Sequence, residues 1–235
     1  MRLLVYGMQS SGATAFSLFL AQRPGSLGLV DILNNYAAPR MEGDLNIVAK
    51  VVVTTAYPLA IHQERFRPDR NILFLRDPRD NYASLANKTY RNHSGLIDEK
   101  FMLLDRVFGE RDKFDLVVHY EDFIVRSPHV LQSVNALGWP VNEAFYAFRR
   151  THVDLTQSLW DAMPDLFNHF EFSYGNVQSS EVSGRFALKV WPLDVEDRLF
   201  RLCPNILTAY KQRDRQRHSV DAPGRLGFVT ADRSG

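Results

Sequence analysis

Cysteine is nearly absent: Cys203 is the only one in 235 residues. An intrachain disulfide framework is therefore excluded. The lone thiol, in RLFRLCPNIL, falls on an apolar helical face with no partner base nearby, which reads as a packed core group rather than a nucleophile. A dominant charge is also missing. Lys and Arg number 28 and Asp and Glu 27, for a formal net charge of +1. Nucleic-acid binding needs a clustered positive field, so neither a nucleic acid nor a membrane surface is an expected partner. The one basic cluster, KQRDRQRH at 211–218, reads as a solvated helix end. Long hydrophobic runs are lacking too. The longest candidate, IVAKVVVTTAYPLAI at 47–61, is broken by Lys50 and Pro58, short of the roughly 18 apolar residues of a membrane helix. The apolar stretch after Arg2 stops at Gly7, so no leader peptide is expected, and the location expected is cytoplasmic.

What is present suits a globular core, with 45% hydrophobic and 23% charged residues. Short apolar runs at 2–6, 28–33, 47–54, 71–75 and 115–119 predict buried strands. Helical patterns at 13–21, 59–66, 78–90 and 96–108 separate them. That alternation predicts a three-layer α/β/α fold with a central, mostly parallel five-stranded sheet. Its crossovers gather the strand carboxyl ends along one edge, where ligands bind. Beyond the fifth strand, a Ser-Pro start and a stop near Gly138 bound a further helix. The segment 151–183 reads as irregular and aromatic-rich, with Trp160, Phe167, Phe170, Phe172 and Tyr174, and suits either a lid or acceptor wall or a packed loop. A last helix is predicted over 194–210. One domain over 1–217 is expected, with a flexible polar tail at 218–235.

Two stretches carry chemistry. GMQSSGAT, at 7–14, has the spacing G-x-x-x-x-G-x-T between a strand and a helix. Glycines allow close backbone approach, and amides at a helix N-terminus favour an anion. A P-loop-like phosphate-binding turn is one reading; an ordinary strand-to-helix turn is the other. A nucleoside triphosphatase needs Lys where Ala13 stands, which argues against that chemistry. The second stretch is NILFLRDPRDNYASLANK, at 71–88. A strand ends at Arg76, Asp77 can cap the next helix, Pro78 fits its first turn and Asp80 suits its positive end. Ser84 follows Arg76 by eight positions, so a guanidinium and a hydroxyl can converge on one phosphate.

Together the two stretches resemble the sulfotransferase superfamily, which uses 3′-phosphoadenosine 5′-phosphosulfate (PAPS). Gly7, Ser11, Gly12 and Thr14 match its first motif, and Arg76 and Ser84 its second. VVHYEDFIVRSPHVLQSVNALGWP and SGRFALKVWPLDVEDRLFRLCPNILTAY resemble two further family segments, in the family's order. The resemblance implies that Gln9, Ser10, Ser11, Gly12, Ala13 and Thr14 hold the 5′-phosphosulfate. It implies that Arg76, Ser84, Gly184 and Arg185 meet the 3′-phosphate and that Tyr120 approaches the adenine. Sulfuryl transfer to a hydroxyl or amine of a small-molecule or carbohydrate acceptor would leave 3′,5′-adenosine bisphosphate (PAP), with no metal required.

The chain departs from the pattern in two places. Ser10 stands where the family has Lys or Arg, a loss worth about 3–4 kcal/mol of barrier unless another cation substitutes; Arg40, Lys50, Arg79 and Arg185 are candidates. The catalytic base is also unassigned. VTTAYP, at 53–58, lacks the family's His; the resemblance to members that act on carbohydrates, which use a Glu near the end of the second strand, implies Asp31 in LGLVDILNN, with His62, His93 and His152 as further candidates. Asp31 also suits a structural hydrogen-bonded carboxylate. The alternatives kept open are a non-catalytic or weakly active PAPS- or PAP-binding protein and a P-loop kinase-like enzyme.

Overall fold

The computed structural model describes residues 1–30, 32, 37–93, 95–168, 179–185 and 190–220. Five strands form one sheet: β1 (Arg2–Gly7), β2 (Leu27–Leu29), β3 (Ile47–Val52), β4 (Arg70–Leu75) and β5 (Leu116–His119). Their order is β2-β3-β1-β4-β5, and every pairing is parallel. Parallel sheets are covered on both faces, which is why these strands read as unbroken apolar runs. Leu4 and Tyr6 of β1 enter one core and Leu3 and Val5 the other, as side-chain alternation requires.

Helices clothe both faces. The core containing Leu3 and Val5 is filled by α1 (Ala13–Ala21), α5 (Tyr120–Ile124), α6 (Pro128–Ala136) and α7 (His152–Ala162), through Phe16, Phe19, Phe123, Val134 and Leu155. The opposite core receives α2 (Leu59–Phe66), α3 (Pro78–Ala86), α4 (Ile97–Gly109), α8 (Val195–Leu202) and α9 (Pro204–Val220), through Phe66, Leu85, Phe101, Leu199 and Leu207. The expected three-layer α/β fold is observed. Because β3 and β4 flank β1, the turns after β1 and β4 open side by side at the carboxyl edge, where the strand order switches.

Several expectations need correction. The expected helix over 78–90 ends at Ala86. The strand expected over 28–33 is the three-residue β2; 31 and 33 lie outside the described residues. The stretch expected to be irregular contains α7, started by a capping box in which Thr151 and Asp154 satisfy each other's amides. Leu155 and Leu159 are buried one turn apart, while Trp160 is half exposed; apolar residues on both sides of the helix blurred its period. Phe170, Phe172 and Tyr174 lie outside the described residues. The single last helix is two, since Pro204 has no amide to continue α8 and opens α9 instead. The helix reaches Val220, past the boundary expected at 217. Its basic cluster is not simply solvated: Lys211 pairs with Glu196 and Arg213 with Asp122. Cys203 is buried as expected, and burial raises its thiol pKa. No helix among the described residues is long and apolar enough to cross a membrane.

Candidate functional site

Residues 8–12 connect β1 to α1. Gly12 is the N-cap of α1, at φ 95°, and a Cβ there would meet the Tyr120 ring at 2.6 Å. Glycine is therefore required twice over, by backbone conformation and by the ring. The Ser11 amide closes a turn onto the Met8 carbonyl at 3.2 Å, and the Ala13 amide lies 3.3 Å from Ser11 Oγ. Two of the loop's amides thus have internal acceptors. Thr14 lies in the first turn of α1. Ser10 is at φ 58°, with its hydroxyl 3.5 Å from the Tyr90 hydroxyl.

The turn after β4 braces this loop. Arg76 Nη1 donates to the Ser10 carbonyl at 3.1 Å, and Asn81 Nδ2, one turn into α3, donates to the Gln9 carbonyl at 2.7 Å. Arg76 is 8% exposed. Its guanidinium pairs with Asp80 at 3.4 Å and lies over the Tyr120 ring, 4.5 Å from the centroid. Its Nε is buried without an acceptor. Asp80 is oriented from its other oxygen by Trp191 Nε1 at 2.7 Å. Asp77 caps α3 by accepting from the Arg79 amide at 2.9 Å, and the Asp77 amide donates to Glu121 at 2.8 Å. Burial raises the Glu121 pKa, and nearby Asp77 charge adds to that against hydrogen bonds that oppose it. Ser84 is partly exposed, one turn beyond Asp80 on the same face of α3.

Arg76, Tyr120 and the loop over residues 9–14 are thus brought together. Gly184 and Arg185 have other neighbours: a Cβ on Gly184 would lie 3.6 Å from Arg126, and Arg185 is exposed, its amide 3.3 Å from Ser183 Oγ. Among the candidate cations, Arg40 is exposed and Lys50 is buried within β3. Arg79 is held by Asp77, Glu196 and Asp214. Asp31 lies outside the described residues. His62 is buried in α2 with Nδ1 accepting from the Ala38 amide at 3.0 Å. Burial lowers its pKa to about 4. It is neutral at physiological pH, with the proton on Nε2, so acting as a base would require giving up the Ala38 bond. His93 is exposed and His152 opens α7.

Sequence reasoning missed one residue of this corner. Lys100, fully buried in α4, donates to Gln9 Oε1 at 2.9 Å. Nothing in the sequence near Lys100 points to the loop, because the contact forms only when α4 packs beside it.

Chemically, this corner sets a buried guanidinium with an unused donor against a helix N-terminus, an arrangement able to hold an anionic group. The fold and the corner define a three-layer α/β protein in which two strand-turn-helix units interlock at the sheet's switch point. No family model matches the chain, and no curated protein sequence does. Among solved structures, the chain is similar to the mouse sulfotransferase SULT7A1 complexed with PAP. The TM-score is 0.42 at 14% identity, and the match covers 67% of this chain and 63% of that one. The chain thus spans less than two thirds of that protein's length.

Proposed function

We propose that the protein binds PAPS and transfers its sulfuryl group to a hydroxyl or amine of a small-molecule or carbohydrate acceptor. The observation that carries this reading is the reach of Arg76 from the end of β4 to the backbone of the first loop. Two corners that resemble the two halves of a PAPS site are in direct contact. The fit to the donor rests on the buried Arg76 Nε that lacks an acceptor. In this reading the loop over 9–14 takes the 5′-phosphosulfate. Arg76 and Ser84 take the 3′-phosphate, Tyr120 backs the adenine, and Gly184 and Arg185 come from the segment beside Arg126. Bound PAPS supplies an activated sulfuryl group; the chain's part is to orient it and neutralise its leaving end. The base is assigned to Asp31, two positions after Leu29, where β2 ends.

A second reading, binding without turnover, is favoured by a specific observation. Ser10 offers no cation to the leaving phosphate, and its hydroxyl faces Tyr90. The kinase-like reading is disfavoured by Ala13. Calorimetric titration separates all three. PAP binding, without a response to ATP with magnesium, is expected, and Arg76→Ala weakens PAP by about 2 kcal/mol, roughly thirtyfold, as for a lost charge-assisted bond. A thermal-unfolding control establishes that the variant is folded. An unchanged dissociation constant removes Arg76 from the site. Labelled PAPS with an acceptor library then distinguishes transfer from binding alone.

A further inference from the structure

Lys100 has no exposed surface. Its ammonium donates to Gln9 Oε1 at 2.9 Å, to the Arg91 carbonyl at 3.1 Å and to the His93 carbonyl. All three donors therefore meet neutral acceptors, and no carboxylate among the described residues shares the charge. A buried ammonium without an anion is costly to keep, by several kcal/mol. A buried charge of this kind, with its titration perturbed by burial, marks a candidate functional position. Burial lowers its pKa to about 8, which still leaves it mostly charged at neutral pH.

Gln9 is fixed at two points, through its carbonyl by Asn81 and through its side chain by Lys100. Because lysine can only donate, the bond identifies the amide oxygen and settles which way the Gln9 amide faces. Its two Nε2–H donors are therefore turned away from Lys100, and they make no hydrogen bond among the described residues. Gln9 immediately precedes Ser10, where a loop cation is missing. The same strap of chain touches the loop again, through Tyr90 on Ser10.

We infer that Lys100 is the resident cation of the donor site, acting through Gln9: it polarises and aims the Gln9 amide so that Nε2 donates to the 5′-terminal anion of the nucleotide. This deepens the reading above and rests on it. Lys100 is a positioning residue; Gln9 makes the contact. The field of the buried ammonium, not a loop lysine or arginine, then balances the charge at that end of the nucleotide.

The test compares PAP with 3′-AMP, which lacks the 5′ phosphate, by calorimetric titration. The proteins are the wild-type chain, Lys100→Met, Lys100→Arg, Gln9→Leu and the Lys100→Met/Gln9→Leu double variant. Lys100→Met and Gln9→Leu should each weaken PAP at least tenfold and leave 3′-AMP unchanged. The double variant should be no worse than the worse single one, since the two act as a unit. Lys100→Arg, which keeps charge and donors, should recover most of the loss. Equal weakening of PAP and 3′-AMP would make Lys100 structural and overturn the inference, as would unchanged PAP binding in both single variants. If Lys100→Met does not fold, Gln9→Leu alone decides by the same contrast. A wild-type chain that binds neither nucleotide overturns the donor reading itself, whereas wild-type binding with insensitive variants overturns only the role of Lys100.

Discussion

Ser10 is a non-glycine residue held at φ 58°, a conformation that costs an L-residue of order 1–3 kcal/mol and persists only where surrounding contacts over-determine it. Here the contacts are the Arg76 guanidinium on its carbonyl and Tyr90 at its hydroxyl. The strained residue therefore sits where the two corners join. His62 illustrates the opposite case, a titratable residue committed to the fold. Burial, with repulsion from Arg65, outweighs the Tyr57 backbone carbonyl, which favours the protonated ring, and lowers its pKa to about 4, against an unfolded value near 6.5. Between those values the unfolded chain binds a proton that the folded chain refuses. Its contribution to stability is thus complete above about pH 6.5 and is lost as pH falls toward about 4. From about pH 7.5 to about pH 5 this should cost the wild type about 2 kcal/mol. His62→Gln keeps an acceptor for the Ala38 amide but cannot titrate, so urea unfolding should show that share of the acid loss removed. Identical pH slopes in the two proteins would show that His62 is not the source.

The helix α7 depends on its start. Thr151 accepts from the Asp154 amide, and the Asp154 carboxylate accepts from the Thr151 amide at 2.7 Å. The Thr151 amide and hydroxyl, both donating to that carboxylate, hold the Asp154 pKa below the usual carboxylate range. Thr151→Ala should lower the free energy of unfolding by about 1 kcal/mol, read from the urea midpoint at constant slope; a variant as stable as the wild type would mean that α7 is held by the packing of Leu155 and Leu159 alone. Legibility differed from element to element for physical reasons. The helices over 13–21 and 59–66 were read from the sequence with the observed bounds, because sharp turn chemistry brackets each. α3 is shorter than expected, since the polar run Asn87–Lys88 loosens its end; Asn87 Nδ2 turns back to the Ala83 carbonyl instead. The helix α7 was missed because its exposed Trp160 and Val153 mask the period of the buried pair.

Across the whole molecule, the parts of the candidate corner legible in the sequence as local structure were those fixed by turn chemistry, the loop at 7–14 and the cap after Arg76. The parts missed depend on distant helices: Lys100 arrives on α4, and the fate of Arg79 is decided by α8 and α9. Arg79 has the charge to serve a bound anion, yet it is buried among Asp77, Glu196 and Asp214 with its guanidinium 4.4 Å from the Trp191 ring centroid. Burial alone would lower its pKa, but the hydrogen bonds it donates to Asp77, Asp214 and Glu196 raise it instead. Tyr210 strengthens the same clasp by donating to Glu121 at 3.2 Å. Arg79 therefore ties the carboxyl-terminal helices to the turn that carries Arg76. Arg79→Met should strand the buried Asp77 carboxylate and cost about 3–5 kcal/mol. Asp214→Asn should cost at most about 1 kcal/mol, because Asp214 is 42% exposed and water screens its share. In both variants, PAP should bind the folded fraction as in the wild type, measured by titration below the unfolding transition. Wild-type stability combined with lost PAP affinity in Arg79→Met would instead place Arg79 at the donor and free the clasp of its role.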